Sequence, residues 1–326
     1  MPVTIHDVAR LANVSISTVS RAFTAPDLVK PQTRDKVLEA AVELGYHATV
    51  PPPPPERTGH IGIVVSDLGN PFFTGVLTGV QARASQDDVA VLFANSDEEP
   101  LTEQNLVRKM ATQVDGIVLC SPGMADEQLR DLAGQTTLVL LNREVEGIPS
   151  VVMDSADGMR QAVQHLAALG HRRCAYLGGP RRSWSNAARE RGLQAAAERH
   201  GVEVVPFGPF PPVFEGGLQG TDLALAAEVT AIVAYNDLVA FGALARLNAR
   251  GVPVPDEVSL IGVDDLVFAA ISAPPLTTIA MPTEAAGRAA VTILLGLLDG
   301  EAAHDTTVVL DTHLIVRATT APSPQR

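Results

Sequence analysis

From His60 onward, short apolar runs alternate with longer segments in which apolar residues recur every three or four positions. The runs fall in two series. His60–Val65, Val89–Ala94, Gly116–Cys120, Thr137–Leu141 and Val151–Met153 make the first; Cys174–Leu177, Val202–Val205, Ala231–Tyr235, Val258–Val263 and Thr277–Ala280 make the second. Runs this short and this apolar read as strands buried on both faces, and the periodic segments 72–86, 159–169, 187–200, 238–250 and 284–298 read as helices. Strand–helix alternation predicts doubly wound parallel sheets with helices on both faces, and two series predict two such lobes.

The first 46 residues carry a different pattern. Ile5, Val8, Ala9 and Ala12 form one helical stripe, with Thr4 placed to accept an orphan N–H and Asp7 in the first turn to complement the helix dipole. Asn13 tolerates the left-handed backbone of a sharp turn, and Ser15 can cap a second helix anchored by Val14, Val19 and Phe23. Ser15, Ile16, Ser17, Thr18, Ser20 and Arg21 lie on or near its outward side. Hydroxyls and helix N-termini hold phosphates, and arginine contacts guanine bidentately, so this surface suits a DNA groove. An ordinary helical hairpin with polar outer faces would share these features. A third helix favours the DNA reading: it starts at Pro31, carries Val37, Leu38, Ala41 and Leu44 at helical spacing, and stops at Gly45. Three helices in so short a stretch make a helix-turn-helix headpiece.

Ligands of parallel sheets sit beyond the carboxyl ends of the strands. The polar residues there are Ser66-Asp67 through Asn70, Asn142-Arg143, Arg189, Asn236-Asp237 and Asp264-Asp265. Amides, carboxylates and guanidinium forks satisfy both donors and acceptors of a hydroxyl-rich ligand, and Phe72 and Phe73 offer flat faces for a sugar ring. Each also has a structural reading. Asn and Asp after strands cap helices, as expected of Asp237, and the Phe pair could be core.

The stretches Thr4-Ile-His-Asp-Val-Ala, Val14-Ser-Ile-Ser-Thr-Val-Ser-Arg and Thr33-Arg-Asp-Lys-Val-Leu-Glu-Ala, ending in Leu44-Gly-Tyr, resemble the headpiece of the LacI/GalR family of repressors. The resemblance continues through Asn70-Pro-Phe-Phe, Asp115-Gly-Ile, Gly170-His-Arg, Gly178-Gly-Pro, Arg189-Glu-Arg-Gly, Asn236-Asp, Gly262-Val-Asp-Asp and Pro275-Leu-Thr-Thr-Ile. It implies a periplasmic-binding-protein-like core and a homodimer. It further implies DNA contacts by Thr4 and Ser20 beside Ile16, Ser17 and Arg21 on bases and Ser15 and Thr18 on phosphates. Effector contacts would fall to Asn70, Phe72, Phe73, Asn142, Arg143, Arg189, Asn236 and Asp264, with Asp67 beside them. Trp184 and Phe214 are further stacking candidates. Met281-Pro282 departs from the relatives' glutamine before that proline; a thioether cannot replace an amide, so the ligand lacks a hydroxyl there or binds differently.

The implied division is a headpiece over 1–48, a linker over 49–59, a core over 60–320 and a tail over 321–326 that is expected to be disordered. The first lobe takes 60–158 and 283–311, and the second 159–282 and 312–320. Pro51–Pro55 cannot be a helix interior and reads as a polyproline II spacer of about 15 Å. That composition either abandons the family's hinge helix and its minor-groove leucine or merely separates two domains.

Charge separates the two parts. The chain carries −13 overall, yet residues 1–60 hold six basic and six acidic residues, leaving 18 basic and 31 acidic to positions 61–326. A neutral headpiece binds non-specific DNA weakly, so specific binding calls for two headpieces together. No apolar run is long enough for a membrane helix, and Asp7 and Arg10 stand where a signal peptide would be apolar, so a cytoplasmic protein is expected. Cys120 and Cys174 both fall in strand-like runs and read as buried thiols. No dinucleotide or phosphate loop is present, and the eight histidines have no metal-ligand spacing, His165 and His171 reading as structural. Neither enzyme nor cofactor is expected. The leading reading is a DNA-binding transcriptional regulator, a repressor, controlled by a carbohydrate-like effector between two lobes. The alternative is a sugar sensor whose headpiece no longer drives operator binding.

Overall fold

The computed structural model describes residues 3–24, 28–46, 57–301 and 306–324. The chain divides into two compact units, Met1–Arg57 and Thr58–Arg326. The expected polyproline spacer, Pro51–Pro55, lies outside the described residues, as does 49–56 of the expected 49–59 linker.

The first unit contains α1 (Ile5–Leu11), α2 (Ile16–Thr24) and α3 (Pro31–Leu44) around Val8, Ala9, Val19, Ala22, Val37, Ala40 and Ala41. Asn13 takes the expected left-handed turn, at φ +54°, and Gly45 ends α3 at φ +65°. Thr4 reverses its expected role. Its amide and hydroxyl both donate to the Asp7 carboxylate, at 3.0 and 2.7 Å, and these bonds hold that carboxyl below its ordinary range. Leu38 also departs from the predicted stripe: it stays 39% exposed, and Ala40 packs inward instead.

The second unit holds two six-stranded sheets. The first uses β1 (His60–Val65), β2 (Ala90–Asn95), β3 (Gly116–Cys120), β4 (Thr137–Leu141), β5 (Ser150–Met153) and β11 (Thr307–Leu310) in the order β11-β5-β4-β3-β1-β2. It is flanked by α4 (Pro71–Ala84), α5 (Pro100–Met110), α6 (Asp126–Ala133) and α12 (Thr283–Leu298). The second sheet uses β6 (Arg173–Leu177), β7 (Glu203–Phe207), β8 (Ala231–Ala234), β9 (Ser259–Asp264), β10 (Thr277–Ala280) and β12 (His313–Ile315) in the order β12-β10-β9-β8-β6-β7. Its helices are α7 (Ser155–Ala168), α8 (Trp184–His200), α9 (Phe214–Ala226), α10 (Asp237–Ala249) and α11 (Val267–Ile271).

Among the described residues every ladder is parallel except β10–β12, as expected of two doubly wound parallel-sheet lobes with one antiparallel edge strand added. There the chain returns from β11 in the first lobe and lies antiparallel along the second. Helices α5, α6, α9 and α11 and strands β11 and β12 add to the elements read from the sequence. The tail is not loose over residues 321–324: Ala321 donates its amide to Ser259 Oγ at 3.1 Å, and Ser323 donates to the Leu169 carbonyl at 2.8 Å. His171 completes this anchor, pairing with Ala321 O and Thr230 Oγ1, while His165 pairs with Thr320 Oγ1. Cys120 and Cys174 are free buried thiols, each pushed up to about 12 by desolvation.

Candidate functional site

Two surfaces carry the expected chemistry. In the first unit, Ser15 Oγ accepts the Thr18 amide at 3.2 Å and lies 2.8 Å from both Ser17 Oγ and Thr18 Oγ1, which fixes the hydroxyls at the start of α2. Ser15, Ile16, Ser17, Ser20 and Arg21 are exposed, Thr18 is half-buried, and Thr4 is exposed at the start of α1. Hydroxyls and first-turn amides can take phosphate, and Ile16 and Arg21 present an apolar and a forked cationic group for base edges.

In the second unit, a cavity of about 580 Å³ opens between the lobes. It lies beyond the carboxyl ends of both sheets because the residue after each central strand faces it: Ser66 after β1, Ser121 after β3, Asn142 after β4, Tyr235 after β8 and Asp264 at the end of β9. Asn70, Phe72 and Phe73 also line it. Asn70 caps α4 through the Phe72 amide at 3.0 Å, and Pro71 supplies the fixed φ of a first helical position. Phe72 and Phe73 meet edge to face at 5.1 Å, so they serve core and cavity together.

Asn142 crosses the cleft. Its Nδ2 donates to Ser121 Oγ in its own lobe at 3.1 Å and to Ser185 Oγ on α8 of the other lobe at 2.8 Å. On the second wall, Arg189 stacks on Tyr235 at 4.6 Å, donates to its carbonyl at 2.6 Å and stands 3.9 Å from the Asp264 carboxylate. Asn236 caps α10 by accepting the Val239 amide and donates Nδ2 to the Pro212 carbonyl. The expected capping role of Asp237 thus belongs to Asn236. Asp237 instead accepts from Thr278 Oγ1 at 2.6 Å and from the Leu266 amide at 2.8 Å.

Other expected residues stand elsewhere. Asp67 accepts the Gly69 amide and does not line the cavity. Arg143 turns away to Asp126, at 2.6 Å. Trp184 begins α8 and, with Glu144, Val145, Glu146, Ile148 and Thr307, lines a separate small pocket. Phe214 begins α9 outside the cavity, where Phe210 takes the aromatic place.

The most consequential residue missed by the sequence reading is Glu103. It sits on α5, lines the cavity, is only 2% exposed and accepts the Gly123 amide at 3.1 Å. Desolvation pushes its carboxyl up to about 7, against the pull of the Gly123 and Met124 amides and Arg143. Glu98 and Glu99 join it on the first-lobe wall, and Arg181 and Arg182 face the cavity from the second. Burial also raises Asp264 to about 7, with Arg189 opposing.

Of the nine described non-glycine residues with left-handed backbone, Glu98, Ser121, Asn142 and Asp264 line this cavity. Such strain persists where surrounding structure enforces it, commonly at binding sites. Two buried atoms of lining residues, Asn142 Oδ1 and Arg189 Nε, have no hydrogen-bond partner among the described residues and are able to take hydrogen bonds from or give them to a ligand.

Comparison with known proteins agrees with this geometry. A family model for bacterial regulatory proteins of the lacI family matches residues 4–49, and one for a periplasmic binding protein-like domain matches residues 163–320. The chain is 34% identical to the HTH-type transcriptional regulator GalS of Salmonella typhimurium over 320 residues, 93% of each chain. It is 31% identical to the HTH-type transcriptional repressor CytR of Escherichia coli over 337 residues, 98% of this chain and 97% of the relative. Among solved structures, a transcriptional regulator CelR–cellobiose complex superposes with a TM-score of 0.74 at 33% identity, covering 98% of this chain and all of that one. The lac repressor dimer bound to operator and the anti-inducer ONPF superposes with the same score at 28% identity, with the same coverage. A three-helix headpiece, a two-lobed α/β body and full-length relatives at these identities lead to one conclusion: the chain is a transcriptional regulator and not an enzyme, and it belongs to the lacI family of bacterial regulatory proteins.

Proposed function

We propose that the protein is a cytoplasmic homodimeric repressor that binds operator DNA through residues 1–48 and releases or tightens it when a small hydroxylated effector, a sugar or sugar derivative, occupies the cleft of the 60–320 body. The observation that carries the reading is the cleft itself, whose two walls come from different lobes and are tied by Asn142 to Ser185. A ligand that replaces or reinforces that bridge has different contacts in open and closed bodies, and only such differential affinity moves a conformational equilibrium. Asn70, Phe72, Phe73, Asn142, Arg189, Asn236 and Asp264 are the proposed ligand contacts, with Glu103 added to them. Thr4, Ser15, Ile16, Ser17, Thr18, Ser20 and Arg21 are the proposed DNA contacts. CelR is solved with cellobiose and another family member with ribose, which makes both natural probes. No helix among the described residues is long and apolar enough to cross a membrane, in keeping with a DNA-binding role.

The test titrates the full chain with cellobiose, D-ribose and a wider monosaccharide panel, reading the fluorescence of Trp184, the sole tryptophan, which lines a small pocket together with Glu144, Val145, Glu146 and Ile148 of the first lobe. A saturable change with at least one sugar, weakened about tenfold or more in Arg189→Met, is expected from loss of a charge-assisted hydrogen bond. Saturation unaffected by that substitution would place the ligand outside this cleft.

A further inference from the structure

The two walls of the cleft carry opposite charge. Glu98, Glu99 and Glu103 line the first-lobe side, and Arg181, Arg182 and Arg189 line the second. The acidic groups have work within the fold. Glu98 and Glu99 stand at the start of α5, where carboxylates complement the helix dipole, and Glu103 accepts the Gly123 amide. The basic groups are short of partners. Arg181 and Arg182 lie exposed in the turn between β6 and α8, and among the described residues no hydrogen bond or ion pair holds either. Arg189 is only 3% exposed, and its Nε has no hydrogen-bond partner while its Nη1 serves the Tyr235 carbonyl.

These cations belong to one surface. Ser183, next to Arg182, caps the 17-residue helix α8 by accepting the Asn186 amide at 3.1 Å. Its Oγ also lies 3.0 Å from the Tyr235 hydroxyl, and the Tyr235 ring carries the Arg189 guanidinium at 4.6 Å. Ser183 and Tyr235 both line the cavity. The start of α8, with its partial positive charge, thus adjoins three guanidiniums, of which only Arg189 faces a carboxylate, Asp264 at 3.9 Å. A wall with that excess draws an anion, and a carboxylate or phosphate can take two N–H groups of one guanidinium at once.

We propose that the effector is an anionic sugar, a hydroxylated ring bearing a phosphate or carboxylate, whose charged group docks on Arg181, Arg182, Arg189 and the start of α8. This rests on the reading of the cleft as an effector site and names the class of ligand it takes. The opposite wall fixes the polarity of binding. An anion turned toward Glu98 and Glu99 is repelled, so the charged end faces the second lobe and the hydroxyls face the first.

Calorimetric titration of the full chain tests this, since its signal does not depend on Trp184, two residues from Arg182. D-glucose, D-galactose and D-ribose are each compared with their phosphate esters, and the two hexoses also with their uronic acids, at constant ionic strength. At least one anionic form is expected to bind about tenfold or more tightly than its neutral parent, and the preference is expected to shrink as salt rises. Response to the esters alone assigns a phosphate, and to the uronic acids alone a carboxylate. The preference should collapse in the double variant Arg181→Gln/Arg182→Gln and survive in part in Arg181→Lys/Arg182→Lys. Should the glutamine pair fail to fold, Arg182→Gln alone is read in its place. A neutral sugar that binds as tightly as its anionic forms, or a preference undiminished in the glutamine variant, overturns the proposal and leaves the cleft as a sugar site. Binding of no member of the panel overturns both.

Discussion

Glu103 makes the stability of the body depend on pH in a direction opposite to that of most carboxylates. Its folded carboxyl is raised from an ordinary 4.5 to about 7, so folding favours the acid form. The contribution is complete below pH 4.5 and is lost as the pH rises through about 7, because above that the folded state must hold an ionised, desolvated carboxylate. At about 1.4 kcal/mol per unit of pKa, the difference amounts to about 3 kcal/mol at most, and relaxation around the cavity reduces it toward about 1–3 kcal/mol. Glu103→Gln keeps an oxygen for the Gly123 amide and removes the titration. Urea unfolding of wild type and variant at pH 5 and pH 8 should give closely similar midpoints at the lower pH and a more stable variant at the higher. A variant less stable than wild type at pH 8 would refute the reasoning, since it would mean that Glu103 is ionised and held by a cation in the folded body.

Two further substitutions test the headpiece and the frame of the cavity. Arg21→Ala should weaken operator binding by about 1–3 kcal/mol and relax preference at one base position, as read by competition against single-base variants of the site. Gly79→Ala would set a methyl 2.0 Å from the Glu284 carbonyl where α4 crosses α12, and backbone on both sides leaves nothing flexible to move aside. A cost of about 1–3 kcal/mol is expected, seen as a lower thermal midpoint, and because α4 carries Phe72 and Phe73 the same change should weaken sugar binding.

The parallel strands of both lobes were legible because each is a short apolar run followed within a residue or two by a polar one, and that position is also what places Asn142, Asn236 and Asp264 at the cavity. The headpiece was legible for a similar reason, since Asn13, Pro31 and Gly45 punctuate its helices with backbone chemistry other residues lack. What escaped the pattern lies on mixed surfaces. Helix α5 opens Pro-Leu-Thr-Glu-Gln, too polar to announce a buried stripe, and Glu103 gives no sign in sequence that a carboxylate will be desolvated. A sharper signal existed in the spacing of Leu106, Val107 and Met110 behind it, of which Val107 and Met110 are buried and Leu106 packs against them partly exposed. Arg143 shows the reverse failure. Its position after β4 suggests a ligand contact, but Asp126 at the start of α6 draws it aside, and that pairing depends on a helix the strand pattern does not reveal. Trp184 and Phe214 each begin a helix near the cleft, where one residue of shift decides whether a ring faces the cavity or its rim.

Selection of bound duplexes from a random DNA pool by the full chain, with and without the sugar that saturates the cleft, tests the central claim most directly. The account predicts a two-fold symmetric site whose retention changes with the sugar and whose base preferences weaken in Arg21→Ala. Recovery of no motif under either condition, or of a motif indifferent to every sugar that binds the cleft, would contradict it.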